Sequence, residues 1–337
     1  MDAIVLAGGF ATRLWPITRN RPKMFLPIGD TTVIDRIFRE LEDDDSIEDV
    51  YVSTNQEFGD TFESYIADSP FEKPVVSVEE AREEDEKFGV VGALGELVER
   101  EGIENDLLVI AGDNLISFSL SDFVDTFEEH GATTIAAYDV ESLEKATQYG
   151  VIDVEDGRVL EFQEKPEDPA STLVSIACYA FPEQVVGLFE TYLSGESNPD
   201  EPGWFIQWLL ERNPVYAYSF DGAWFDIGTP ESYLDTVEWY LDGGTLVHPT
   251  ATVENSELGE NVHIMEGAAV IDSSIERSVV FPNAKLKNCQ IFSSIIDENT
   301  ELEDVNLSKA QIGAHTSLAQ SNSPPAEWVW EQQRDSE

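Results

Sequence analysis

The sequence predicts an α/β protein in two parts. Residues 1–243 read as a Rossmann-like mixed, mostly parallel sheet, and residues 244–320 as a β-solenoid; 321–337 read as a flexible tail. Two patterns carry this. In the first part, short apolar runs alternate with helix-period segments, which is how strands crossing over through helices are written. In the second, helical periodicity stops near Gly243-Gly244 and an aliphatic repeat begins.

In chain order, the predicted strands are Ala3–Leu6, Val50–Ser53, Val75–Val78, Leu107–Ala111 and Thr134–Tyr138. The helix-like patterns between them are Val33–Leu41, Phe58–Ile66, Val91–Val98 and Leu120–Glu129. Ligands of such sheets bind at the carboxyl ends of the strands. Beyond residue 243, Val270, Leu286, Leu302 and Leu318 lie 16 apart, as do Ile275, Ile291 and Leu307, and Val280, Ile296 and Ile312. Within each repeat the steps are 5, 5 and 6, the signature of a solenoid with three flat faces. An earlier, looser repeat begins near Val253, with Leu258 and Ile264.

Composition narrows the function classes. Nineteen Lys and Arg stand against 68 Asp and Glu, a net charge of −49. Such a chain repels nucleic-acid backbones and anionic membranes, so neither is an expected partner. With 42% hydrophobic residues this is no disordered polyanion. An acidic surface of this strength points to a halophile's protein, whose self-repulsion molar salt screens. Cys178 and Cys289 form no pair motif, which excludes a disulfide framework and fits a cytoplasmic chain. The N-terminus enters a strand directly, without a signal-peptide pattern, and no apolar run is long enough to span a membrane.

The segment Leu6–Pro27 runs against the overall charge. It carries Arg13, Arg19, Arg21 and Lys23, and no Asp or Glu occurs between Asp2 and Asp30. In so acidic a chain, this stretch attracts anions. Gly8 and Gly9, directly after a strand, let the backbone approach a ligand, and their N–H groups can cradle phosphate oxygens. Arg offers phosphate a planar fork and Lys a movable point charge. The spacing fits neither a Walker A loop nor a dinucleotide fingerprint. A plain glycine turn with surface cations is the bland alternative.

These residues resemble the signature of the sugar-1-phosphate nucleotidyltransferase family, a Gly-Gly-x-Gly-Thr-Arg-Leu loop followed by Pro-Lys. Gly8, Gly9, Thr12, Arg13, Leu14, Pro22 and Lys23 match; Ala11 stands where the pattern has Gly. Four further motifs follow in the family's order: Ala111-Gly112-Asp113-Asn114, Tyr149-Gly150-Val151-Ile152, Phe162-Gln163-Glu164-Lys165-Pro166 and Trp224-Phe225-Asp226-Ile227-Gly228-Thr229-Pro230. The resemblance covers residues 1 to about 240. It implies a nucleotidyltransferase domain followed by a left-handed β-helix, with an NTP and a sugar 1-phosphate as substrates. It places Arg13 and Lys23 in catalysis, and Leu6, Ala7, Gly8, Gly9 and Thr12 on the nucleotide. Tyr149, Gly150, Glu164 and Lys165 fall on the sugar phosphate, and Asp113 and Asp226 on Mg2+. In relatives, base choice is set partly by a side chain before a Gly-rich helix start. Here that implicates Glu79 or Glu80, with Gly89 or Gly92 letting the base pack on backbone; the charged stretch Arg82–Lys87 reads as an exposed loop.

The physics agrees with the resemblance. A nucleoside triphosphate and a sugar phosphate are both polyanions, and bringing them together is the main barrier. Mg2+ binds through one or two carboxylates plus substrate phosphates, and cations offset charge growing on the phosphates. UTP or dTTP with glucose 1-phosphate is the expected pair, with a mannose-1-phosphate guanylyltransferase as the alternative. A non-catalytic regulatory or scaffold relative is the competing class, against which stands the presence of all four charged residues. An acyltransferase solenoid lacks a convincing histidine: His130, His248, His263 and His315 lie outside all five motifs. The solenoid's apolar end predicts a homo-oligomer.

Overall fold

A computed structural model describes residues 1–79, 89–195 and 198–319. Glu80, the stretch Arg82–Lys87 and the tail 321–337 lie outside the described residues. By packing, the chain divides into two units, residues 1–13 with 18–232, and residues 14–17 with 233 onward.

The first unit is built on a nine-stranded sheet. Its order is Pro74–Val78, Val50–Thr54, Asp2–Leu6, Leu107–Ala111, Leu173–Phe181, Thr133–Asp139, Val215–Ser219, Arg158–Glu164 and Gly150–Glu155. The first strand shows why both faces must be covered. Ala3 and Val5 enter one core cluster while Ile4 enters the other, and all three are fully buried. Period-2 alternation thus feeds two apolar layers from a strand that has no polar face. The helix Val33–Asp43 covers one face through Ile34, Ile37, Phe38 and Leu41. It begins in a capping box: Thr32 Oγ1 accepts from the Asp35 amide at 3.2 Å, and Asp35 Oδ2 from the Thr32 amide at 3.0 Å. The helix Val90–Glu101 covers the other face through Val91, Leu94 and Leu97, and stops at Gly102 in the left-handed conformation.

The mostly parallel sheet expected from sequence needs correction. The first four strands of that order are joined by parallel pairings. Beyond them, only Thr133–Asp139 with Val215–Ser219 is parallel, and the other five pairings are antiparallel. The strand Leu173–Phe181 enters antiparallel between Leu107–Ala111 and Thr133–Asp139. A hairpin closes the far edge. Asp156 and Gly157 both have positive φ, 50° and 79°, the two-residue turn that matches strand twist.

In the second unit the helix Pro230–Leu241 leads into three sheets of short parallel strands. The aliphatic columns predicted from sequence are cross-strand partners. Val253, Val270, Leu286, Leu302 and Leu318 stand in one register. Leu258, Ile275, Ile291 and Leu307 stand in another, and Ile264, Val280, Ile296 and Ile312 in the third. The corners repeat as strictly. Asp272, Asn288 and Asp304 are left-handed, as are Arg277, Ser293 and Lys309, and Asn283, Asn299 and His315. Short polar side chains lower the cost of that conformation, which explains the Asn and Asp at two of the three corners. Two sheets alternate exposed and buried positions, as in Lys285-Leu286-Lys287. The third is buried on both faces at Val262-His263-Ile264 and Ser278-Val279-Val280. No helix among the described residues is long and apolar enough to cross a membrane.

Candidate active site

The site grows from the carboxyl end of the first strand. Leu6 ends it, and Ala7 binds back into the sheet through its amide to the Ser53 carbonyl at 2.7 Å. The loop that follows is open at Gly9, where an added Cβ would meet nothing within 4 Å. Gly8 differs: a Cβ there would lie 2.7 Å from Glu79 Oε1. Ala11 has φ 47°, a conformation that suits Gly and strains Ala. Its carbonyl accepts from Thr18 Oγ1 at 2.9 Å, which holds the turn.

Pro22 then starts the short 3-10 helix Lys23–Phe25, whose Lys23 Nζ pairs with Asp113 Oδ2. Asp113 is delivered by a tight turn. The Gly112 amide donates to the Leu6 carbonyl at 2.9 Å, and a Cβ on Gly112 would come within 3.1 Å of that oxygen. Asp226 arrives from far along the chain. The strands Asn114–Ile116 and Trp224–Asp226 pair antiparallel with Asp226 opposite Asn114, and the Ile227 amide donates to the Asp113 carbonyl at 3.1 Å. Arg13 closes the group: its Nη2 lies 2.9 Å and Asp226 Oδ1 3.5 Å from where a Gly228 Cβ would stand. Burial pushes the Asp226 carboxyl above the usual carboxylate range, and the neighbouring Asp113 charge adds to the rise; Lys23 and Arg13 oppose it. Two neighbouring carboxylates, one of them half-buried, form a place that demands positive charge.

A second cluster lies along the far hairpin. Gly150 pairs with Glu164, and the Lys165 amide donates to the Tyr149 carbonyl at 3.1 Å, so two motifs separated in sequence become neighbours. Gly150 leaves room for the Phe162 ring, and Gly203 leaves room for the Glu164 carboxylate. Burial, then the Glu201 charge, raises the Glu164 pKa. Lys165 pairs with Glu201 and has φ 44°, a left-handed strain at a charged residue. The Tyr149 ring meets Trp224 edge-on, with centroids 5.0 Å apart.

A cavity of about 710 Å³ joins both clusters. It is lined by Leu6, Gly8, Gly9, Lys23, Glu79, Asp113, Tyr149, Gly150, Glu164, Lys165 and Asp226 among the sequence-predicted residues. Ala7, Thr12, Arg13, Gly89 and Gly92 do not line it. Ala7 and Gly92 are buried, and Thr12 is exposed. Gly89 lies against the backbone of Pro199 and Asp200, and the next two amides, of Val90 and Val91, donate to the carbonyls of Asp200 and Pro199. This helix start is therefore spent on a neighbouring segment, a correction to the expectation that Gly89 faces the nucleotide. Sequence reasoning did not name Asn55, Trp224, Glu201 or Gly203 as site residues, although all four line the cavity. Trp224 could have been found, since it opens the Trp-x-Asp motif. Asn55, Glu201 and Gly203 sit in no motif.

A family model described as nucleotidyl transferase matches residues 2–243. The chain belongs to the nucleotidyl transferase family. Among similar proteins, the bifunctional protein GlmU of Methanococcus aeolicus is 27% identical over 82% of this chain and 61% of its own length. The low-salt glycan biosynthesis nucleotidyltransferase Agl11 of Haloferax volcanii is 26% identical over 80% and 74%. A Sulfolobus acidocaldarius protein described as a mannose-1-phosphate guanyltransferase is 26% identical over 82% and 76%. The chain thus spans about three-fifths of its GlmU relatives. Among solved structures, one described as a glucose-1-phosphate thymidylyltransferase from Bacillus anthracis superposes with a TM-score of 0.61 at 25% identity, covering 70% of this chain and 93% of that one.

Among the described residues, no three His, Cys, Asp or Glu converge on one point to cage a metal. The pair Asp113 and Asp226 instead fits a hard cation that keeps most of its sites for water and phosphate, as Mg2+ does. The half-buried Asp226 carboxyl beside Asp113, with Lys23 on Asp113, is the observation behind that fit.

Proposed function

We propose that the chain is a sugar-1-phosphate nucleotidyltransferase that makes a nucleoside diphosphate sugar and releases pyrophosphate. What carries the reading is a single juxtaposition: Lys23 meets Asp113 and Asp226 in a cavity whose ends differ in chemistry, with Arg13 beside Asp226 outside the cavity lining. One end offers the glycine loop, the other the Tyr149–Lys165 cluster. The sugar phosphate oxygen attacks the α-phosphorus and forms a P–O bond. The bond from that phosphorus to the oxygen bridging to the β-phosphate breaks, and pyrophosphate leaves with the electron pair. No covalent enzyme intermediate is needed, so positioning and charge supply the rate. Lys23 and Arg13 offset negative charge on the α-phosphate and the departing pyrophosphate. Lys165 meets the phosphate of the incoming sugar, giving up Glu201, and Glu164 accepts from sugar hydroxyls. Mg2+ held by Asp113 and Asp226 supplies Lewis-acid charge neutralisation when bound.

For the substrates, UTP or dTTP with glucose 1-phosphate is the first reading, supported by likeness to the Bacillus anthracis protein. GTP with mannose 1-phosphate is the second, favoured by a carboxylate, Glu79, at the nucleotide end of the cavity. A grid of triphosphates against sugar 1-phosphates, read by pyrophosphate release with Mg2+, tests the proposal; silence across the grid would refute it. The proposal extends to residues 244–320 as a left-handed β-solenoid that pairs copies of the chain and carries no acyltransferase activity. Light scattering that returns a monomer at all concentrations removes that part.

A further inference from the structure

We propose that Gln311 and Gly313, in the last described coil of the C-terminal unit, are positioning residues for nucleotidyl transfer: they hold the turn Leu14–Ile17 and, through it, the Arg13 guanidinium. The inference rests on the nucleotidyl-transfer reading, which gives Arg13 the charge growing on the phosphates. The turn interrupts the basic segment. Residues up to Arg13 and from Thr18 onward pack with the first unit, whereas Leu14–Ile17 packs with the second, so the residue bonded to Arg13 belongs to the solenoid's unit. Leu14 and Ile17 are buried, and the Ile17 amide donates to the Leu14 carbonyl at 2.9 Å, which closes the turn. Gln311 reaches the same turn. Its side-chain Nε2 donates to the Leu14 carbonyl at 3.2 Å and to the Trp15 carbonyl at 3.3 Å, the amide orientation that two oxygens able only to accept require.

The repeat itself marks these two residues. One register position of the third sheet carries His263, Val279 and Ile295, all buried, before it reaches Gln311. A second position, two residues on, carries Met265, Phe281 and Asp297 before Gly313. A Cβ on Gly313 would stand 2.9 Å from the Pro16 Cβ and 3.0 Å from its Cγ, so the proline ring fills the room that a side chain would need. Thr300 Oγ1 and Thr316 Oγ1 donate to the Gly313 carbonyl at 3.2 and 2.7 Å, which fixes the surface on which the ring rests. An amide and a bare glycine thus replace larger or apolar side chains on the coil that meets two backbone carbonyls and a proline. The turn is also clasped at its mouth, where Thr18 Oγ1 donates to the Ala11 carbonyl at 2.9 Å, so a shift of Leu14 is carried to Arg13. Arg13 can stabilise developing charge only from a fixed place, and misplacement of a group by about 1 Å can cost about a hundredfold in rate.

The test measures kcat, both KM values and the melting temperature of the full-length chain and of Gln311→Glu, Gln311→Lys and Gly313→Ala, with the substrate pair that the parent turns over fastest. An ionised Glu keeps the shape of Gln but only accepts, so it repels the two carbonyls, whereas Lys only donates. Gln311→Glu and Gly313→Ala are expected to lower kcat by about ten- to a hundredfold while the KM for the sugar 1-phosphate and the melting temperature stay with the parent. Gln311→Lys is expected to keep most of the parent's kcat. In an Arg13→Lys background, which keeps a charge but loses the fork, Gln311→Glu should cost far less than it costs the parent, because two changes that act through one group do not add. If Gln311→Glu melts below the assay temperature, Gly313→Ala carries both comparisons. Parent-like kcat in Gln311→Glu and Gly313→Ala overturns the proposal, and the same fold loss with and without Arg13 overturns the route through Arg13. A parent that releases no pyrophosphate with any pair removes the transfer reading and this inference with it; an active parent with unaffected variants removes this inference alone.

Discussion

Lys23, Asp113 and Asp226 come from three separate stretches of chain, and each is held by its own device, with Arg13 from the Lys23 stretch beside Asp226. Lys23 follows a proline at the start of a 3-10 turn, Asp113 follows a glycine that touches the Leu6 carbonyl, and Asp226 is fixed by two-stranded pairing. Lys23→Ala is expected to abolish pyrophosphate release while leaving the circular dichroism spectrum unchanged. Asp226→Asn is expected to do the same and also to raise the melting temperature at pH 7. The sign follows from linkage. The folded pKa of Asp226 is raised, so its contribution favours the folded state at low pH and is lost as pH rises through that pKa. An amide escapes the loss, and the variant's advantage should shrink as pH falls; a variant less stable than the parent at pH 7 contradicts the burial argument. Ala11 illustrates strain retained beside a site. Ala11→Gly, read by chemical denaturation, should stabilise the fold by about 1 kcal/mol if the left-handed conformation costs what it does elsewhere. Gly203→Ala places a methyl where Glu164 sits, so KM for the sugar 1-phosphate should rise more than the KM for the triphosphate.

At the scale of elements, the third sheet of the C-terminal unit holds a buried group that the site does not use. His263 sits in the strand Val262–Ile264, 5% exposed, and its Nδ1 has no hydrogen-bond partner. Burial, then the nearby His248, lowers its pKa to about 4. The unfolded chain takes up a proton near pH 6.5, so it binds more protons than the folded chain between about 4 and 6.5. Stability should therefore fall as pH drops through that window. His263→Leu should flatten this slope and cost little at neutral pH, since it removes an unsatisfied polar atom. Urea titrations at pH 7.5 and 5 decide it; parallel losses in parent and variant would assign the acid sensitivity to other groups. Salt links on the exposed faces, such as Lys285 to Glu301 at 2.8 Å and Lys287 to Glu303 at 2.6 Å, follow the repeat but sit in water and add little.

At the scale of the whole molecule, charge outweighs any single contact. A net charge of −49 opposes compaction at low ionic strength, and four of the 19 cations fall between residues 13 and 23, in the segment after the first strand. Stability and turnover are expected to be highest in molar salt, where the Debye length is about 3 Å. Thermal melts and initial rates from 0.05 to 3 M KCl check this, and full function at the lowest salt would dismiss salt adaptation. The same screening weakens long-range attraction of triphosphate, so KM for the nucleotide should rise with salt even as the fold gains.

Much of the architecture was legible because it depends on local periodicity. The apolar strand Ala3–Leu6, the helix from Val33 and the columns through Val270, Ile275 and Val280 are each written as a spacing, and spacing survives into the fold. The five motifs marked the cavity for the same reason: Gly9, Lys23, Asp113 and Glu164 are residue types whose chemistry shows without context. Partnership was not legible. The antiparallel entry of Leu173–Phe181, the use of the helix start at Gly89 by Pro199 and Asp200, and the facing of Glu201 on Lys165 depend on segments far apart in sequence. The sequence alone determined which groups could bind phosphate and metal. Only the tertiary structure decided which of them share a cavity, because contact between distant segments is fixed by how the sheet orders its strands and not by any pattern within one of them.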